Sequence, residues 1–133
     1  MSQTVFNSLD EVRAAVGRHL GASDWLEITP DRLERFAAAT GERDHDYLAL
    51  ALTNLFLPQV VEVRGASLGI NYGTGSVRFH TPLRVGGRVR GAAELVACDE
   101  IAGGVQTTIV ITVEVDGADR PACVVESLSR WLA

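Results

Sequence analysis

From Asp46 to Leu57 the chain reads DYLALALTNLFL, and at helical spacing Tyr47, Leu48, Leu50, Ala51, Leu52, Leu55 and Phe56 leave almost no polar face. A helix that is apolar all round has to be surrounded by protein. Pro58 is expected at or just past its end. What surrounds it is legible downstream. Past residue 60 the sequence becomes strand after strand, most plainly where Thr107, Ile109, Ile111, Val113 and Val115 alternate with Thr108, Val110, Thr112 and Glu114. Further strands are expected over 61–72, 76–80, 88–97 and 122–131. Gly73-Thr74-Gly75, Gly86-Gly87, Ala102-Gly103-Gly104 and Asp116-Gly117 read as turns between them. An antiparallel meander wrapped around one apolar helix is an α+β architecture.

The first half supplies two more helices. Leu9, Val12, Val16 and Leu20 recur at helical spacing between a Ser8 cap and a Gly21 stop. Thr29-Pro30-Asp31 opens the other: a capping hydroxyl, a proline at the first position and an acid facing the positive helix end. Leu33, Phe36 and Ala37 form its buried stripe and Gly41 ends it. With 133 residues, the chain is expected to form a single domain over 1–133.

Composition removes several chemistries. All 12 basic residues are arginine, so no Schiff-base, phosphate-loop or general-base lysine is available. A net charge of −5 argues against a nucleic-acid footprint. Cys98 and Cys123 lie far apart without a Cys or His at ligand spacing, so they read as small buried hydrophobes rather than a metal site. No signal peptide and no apolar run long enough to span a bilayer is evident, so no membrane association and a cytoplasmic location are expected.

Four blocks in order, SDWLEITPDRLERFAAATG, HDYLALALTNLFLP, INYGTGSVRFHTPLRVGGRVRG and RPACVVESLSRWLA, resemble the MaoC-like dehydratase family, in the branch named after nodulation protein N. The resemblance implies a hotdog fold, in which a curved antiparallel sheet wraps a long central helix, and a homodimer. It implies fatty-acid-type chemistry on thioesters of coenzyme A or acyl carrier protein: (R)-specific hydration of 2-enoyl thioesters and the reverse dehydration of 3-hydroxyacyl thioesters, with no cofactor. Such a lyase needs a base on water, an acid for Cα and donors on the thioester oxygen. In the family an Asp in an ATGD stretch and a His in a following IH dipeptide are base and acid. A backbone N–H in an AHG turn at the start of the central helix serves the oxygen.

This chain departs from the pattern at those residues. After Ala39-Thr40-Gly41 come Glu42-Arg43-Asp44, and His45-Asp46-Tyr47 already begins the central helix. The IH dipeptide and the loop leading to AHG are missing. Glu42 stands where the catalytic Asp is expected, His45 matches the histidine of AHG, and Asp46 takes the place of its glycine. Glu42 and His45 are therefore the catalytic candidates, with acidic turn and structural histidine as the plain alternatives. Asp46 and Tyr47 at the helix start, and Asn71, Tyr72 and Arg78 on the following strand pair, are the substrate-binding candidates. Asn71 reads equally as a turn residue. Arg84, Arg88 and Arg90 read either as a phosphate or carrier-protein contact or as a solvated face. Three functions follow: a hydratase, a non-catalytic acyl-thioester-binding or dimer-partner protein, and an acyl-CoA thioesterase.

Overall fold

The computed structural model describes residues 3–133. Its elements are β1 (Thr4–Phe6), α1 (Leu9–Ala14), β2 (His19–Ala22), β3 (Leu26–Glu27), α2 (Pro30–Thr40), α3 (Asp46–Ala51), α4 (Thr53–Val60), β4 (Val61–Val63), β5 (Leu68–Phe79), β6 (Arg88–Ile101), β7 (Gly104–Val115) and β8 (Cys123–Leu132). The main sheet runs β2-β6-β7-β8-β5, with β3 also on β6, and every pairing in it is antiparallel. A short parallel pair, β1 with β4, completes the structure. The expected α+β architecture is present, with α3 and α4 laid against a curved sheet.

Local signals set α2 as read. Thr29 Oγ1 accepts from the Arg32 N–H, Pro30 opens the first turn, and Gly41 closes it in the left-handed region at φ 76°. Alternation on β7 also holds: Val105, Thr107, Ile109, Ile111 and Val113 are buried, and the residues between them are not. Phe56, Val60, Leu48, Ala49 and Leu52 pack from the helix side against Val89, Ala93, Leu95, Ile109, Ile111 and Val125.

Three expectations are corrected. The first helix stops at Ala14, and Leu20 is a strand residue. Gly17, at φ 92°, turns the chain, its N–H donates to Leu95 O, and the segment joins β6 instead of continuing as helix. The glycine-rich stretch 73–75 is no turn. β5 runs unbroken from Leu68 to Phe79 because β8 pairs with it along its length, and the glycines are absorbed as register shifts after Asn71 and after Thr74. Asn71 is accordingly a strand residue, opposite Ser129.

The central helix is divided and only half covered. It breaks at Leu52, and Pro58 lies inside α4 rather than beyond it. Proline removes the bond to the carbonyl four residues back and crowds it. Thr53 Oγ1 donates to Leu50 O at the break. Leu48, Ala49, Leu52, Thr53, Phe56 and Val60 face the sheet, whereas Tyr47 and Leu55 remain 58% and 43% exposed. A sheet on one side can bury only one face.

Both cysteines lie in strands. Cys123 is fully buried and Cys98 partly so. Burial, then the nearby Asp46 charge, pushes the Cys123 thiol up to about 11 from 9.0. The unfolded thiol therefore ionises first as pH rises. Its contribution to stability is complete below pH 9 and is lost between 9 and 11, by about 2 kcal/mol. Urea unfolding at pH 8 and pH 11 should show that decline in the wild type and a smaller one in Cys123→Ala.

Candidate active site

The connection from α2 to α3 is five residues long, Gly41 to His45, and its bonding is local. The Gly41 N–H donates to Ala37 O, and the Glu42 N–H to Thr40 Oγ1 at 3.1 Å. His45 precedes α3 with no side-chain cap. That role falls to Glu42, whose Oε1 accepts from the Asp46 N–H at 3.0 Å. A carboxylate there satisfies one of the orphan donors of a helix start. Glu42 is thereby held by one oxygen, and Oε2 is left for other partners.

His45 is the one non-glycine residue with positive φ among the described residues, at 62°. The left-handed region costs an ordinary residue about 1–2 kcal/mol. Its Nδ1 is also buried and has no hydrogen-bond partner. Backbone strain and an unpaired ring nitrogen thus coincide at one residue, three positions after a held carboxylate. Strain of this kind collects at functional sites. An open concavity lies beside it, lined by Ala37, Ala38, Gly41, Arg43 and His45.

The substrate-binding candidates divide into two groups. Asp46 and Tyr47 belong to the α3 start, where the Tyr47 ring meets Phe79 edge-on at 5.6 Å. Arg78 neighbours that contact in sequence and is exposed, opposite Val124 in the sheet. Asn71 and Tyr72 lie elsewhere. Asn71 Nδ2 donates to Asn54 Oδ1 at 3.2 Å, and Asn54 is eight residues beyond Asp46, about 12 Å along a helix axis. Tyr72 lies under the Arg130 guanidinium at 3.7 Å. The structure thus brings Glu42, His45, Asp46 and Tyr47 together and sets Asn71 and Tyr72 apart from them.

The arginine cluster is internally neutralised. Arg88 pairs with Asp116, and Arg90 Nε with Glu114 Oε1 at 2.6 Å. Both guanidinium groups also stack on Trp25, at 5.6 and 4.5 Å from the ring centroid. Bonds already made to acids and an indole leave this pair poorly suited to a phosphate. Arg84 takes no part in these contacts.

A cavity of about 180 Å³ lies between α4, β5 and β8, lined by Thr53, Asn54, Leu57, Pro58, Gly69, Ile70, Asn71, Ser127, Ser129 and Trp131; Asn71 is a binding candidate from the sequence, whereas Thr53, Asn54, Ser127, Ser129 and Trp131 are not. One signal was available: Thr53-Asn54 is the polar interruption in an otherwise apolar helix.

No family model matches the chain. It is 38% identical over 148 residues to 3-hydroxyacyl-thioester dehydratase Z of Mycobacterium tuberculosis, with 96% of this chain and 98% of that protein covered. It is 30% identical over 137 residues to nodulation protein N of Rhizobium leguminosarum bv. viciae, with 86% and 85% covered. The fold is similar to that of the MaoC-like dehydratase from Rhodospirillum rubrum, with a TM-score of 0.71, 14% identity and coverage of 89% and 92%. The alignment to the mycobacterial protein spans 148 positions, so at least 15 of them have no counterpart in a chain of 133 residues.

Proposed function

Since the chain belongs to the MaoC-like dehydratase family, with the 3-hydroxyacyl-thioester dehydratases and nodulation protein N among its relatives, we propose that it hydrates 2-enoyl thioesters reversibly, using Glu42 and His45. The observation that carries this assignment is the α3 start, where a held carboxylate adjoins a strained histidine with an unpaired nitrogen. By family resemblance, the Asp46 N–H is the donor to the thioester oxygen. In the free protein Glu42 occupies it. A thioester oxygen that takes this N–H releases Glu42 beside the double bond.

In the hydration direction, Glu42 accepts a proton from water as the water oxygen bonds Cβ. The electron pair of the double bond moves toward the carbonyl, and negative charge gathers on the thioester oxygen at the Asp46 N–H. His45 then delivers a proton to Cα, and passage of the proton from Glu42 to His45 restores the pair. Water is added across one bond and the thioester stays intact. Developing negative charge is favoured at the positive end of a helix, although the Asp46 carboxylate opposes it there.

We further infer a homodimer. β5 is an edge strand with Leu68 and Tyr72 each 53% exposed and Ile70 37% exposed, on the same side of the strand. An apolar edge with unpaired backbone groups is ordinarily covered. The half-covered central helix, with Tyr47 and Leu55 outward, adds to the same demand. No helix among the described residues is long and apolar enough to cross a membrane, and a cytoplasmic acyl-CoA or acyl-carrier-protein thioester is the proposed substrate.

A second reading has its own support. If the alignment positions without a counterpart fall between Gly41 and His45, the chain has lost the family's catalytic loop and binds acyl thioesters without turnover, alone or beside an intact partner. Incubation with crotonyl-CoA distinguishes the readings. A fall in conjugated-thioester absorbance without thiol release is expected. Thiol release would assign a thioesterase. Binding with neither change would assign the non-catalytic protein.

A further inference from the structure

β5 ends at Phe79, but its pairing with the chain before β8 continues. The His80 N–H donates to Ala122 O at 3.0 Å, the Thr81 N–H to Pro121 O at 2.9 Å, and Thr81 Oγ1 to Arg120 O at 2.9 Å. These bonds fix the backbone on both sides of one side-chain contact, in which Arg120 Nη2 lies 2.8 Å from His80 Nδ1. A guanidinium can only donate. Nδ1 is therefore the acceptor, and the proton of the neutral ring sits on Nε2. Both residues are exposed, so the pair offers solvent a positive charge and N–H donors, with no free acceptor.

Among the described residues no acid balances that charge. Arg13, Arg35, Arg64, Arg88 and Arg90 make ion pairs with carboxylates, whereas Arg120 and Arg78 make none. Asp119 precedes Arg120 in the chain without pairing with it. Arg78 lies two residues before His80, on the same side of the strand by alternation, and adds a second exposed guanidinium. The chain as a whole carries a net charge of −5, so an anionic ligand has to meet its cations locally. Donors without acceptors, beside guanidinium groups that no carboxylate occupies, suit a phosphate.

Place in the fold says whose phosphate it is. Phe79, between Arg78 and His80, meets Tyr47 edge-on at 5.6 Å, and Tyr47 follows Asp46 at the α3 start. His80 is thus one residue from the ring that touches the proposed thioester site. We propose, on the acyl-thioester reading above, that Arg120 and His80, flanked by Arg78, hold a phosphate of the arm that carries the acyl group. Coenzyme A and the phosphopantetheine of a carrier protein both supply that anion.

The test is calorimetric titration of butyryl-pantetheine, butyryl-phosphopantetheine and butyryl-CoA into wild type, Arg120→Gln and His80→Phe. Saturated thioesters cannot be hydrated, so the readout is binding alone. Both side chains are exposed and the backbone bonds around them remain, so both variants should fold. Arg120→Gln should weaken butyryl-CoA by about tenfold and leave butyryl-pantetheine unchanged. His80→Phe loses the Nε2–H and should weaken butyryl-CoA by a smaller factor. The same loss with butyryl-phosphopantetheine places the arm's own phosphate at the pair, the group that both carriers share. A loss confined to butyryl-CoA places a nucleotide phosphate there and assigns free coenzyme A as the source. Butyryl-CoA affinities that match wild type in both variants, or an equal loss with butyryl-pantetheine, would overturn the assignment. Inorganic pyrophosphate, followed by the imidazole NMR signals of His80, separates the two ideas: the signals should shift saturably in wild type and far less in Arg120→Gln. Pyrophosphate bound at His80 with no thioester bound anywhere removes only the acyl-thioester reading. Thioester binding that ignores both phosphate and Arg120 removes only the phosphate site.

Discussion

Replacing Phe56 by alanine should lower the unfolding free energy by about 3–5 kcal/mol, the largest stability loss expected from a single core truncation here. Phe56 is 1% exposed and projects from α4 onto β6. Gly91 receives it: a β-carbon at that position would lie 2.7 Å from Phe56 Cβ and 3.0 Å from Cγ and Cδ2. The ring thus packs directly on strand backbone. Truncation leaves a hole with a wall that cannot collapse, because Gly91 pairs with Val113 of β7 and its N–H takes a bond to Ser23 Oγ at 2.9 Å. Domains are stable by only about 5–15 kcal/mol, so the loss removes a large share. Urea denaturation should show a lower midpoint with an unchanged slope. A loss below about 1.5 kcal/mol would mean that α4 slides to refill the space, contrary to the close Phe56–Gly91 contact.

The same contact shows what kind of information the sequence carries. Features decided by neighbours in the chain were readable. Thr29, Pro30 and Gly41 bracket α2 because capping, ring geometry and a left-handed stop all act within one turn. Strict alternation revealed β7 because its two faces meet different surroundings. Features decided by distant partners were not. Leu20 follows a helical period but is drawn into β2 by pairing with β6. Gly73-Thr74-Gly75 has turn composition but is held straight by β8. β1 is three residues long and gains its identity only from β4.

At the site, Glu42, His45 and Asp46 were grouped by their match to the ATGD and AHG stretches of the family they resemble, and the short connection from Gly41 to His45 keeps them near one another. Asn71 could not be placed, since its partner Asn54 is set by the packing of helix against sheet. Trp131 acquires its place through Thr107 and Gly69, two residues remote from it in sequence.

The Glu42–Asp46 contact makes the proposed chemistry separable from its structural support. Glu42→Gln keeps a side-chain oxygen able to accept the Asp46 N–H, so α3 should start as before and stability should change little. The amide cannot take a proton from water, however, and kcat for enoyl-thioester hydration should fall by about 10²–10⁴-fold. Glu42→Ala loses the cap as well and should be both inactive and less stable, by about 1 kcal/mol. His45→Asn completes the set. Asparagine tolerates the left-handed backbone that His45 adopts but supplies no imidazole, so turnover should fall while the melting temperature holds. If Glu42→Gln retained full activity, Glu42 would be a helix cap and nothing more. The base would then have to be sought elsewhere on the surface that α3 presents.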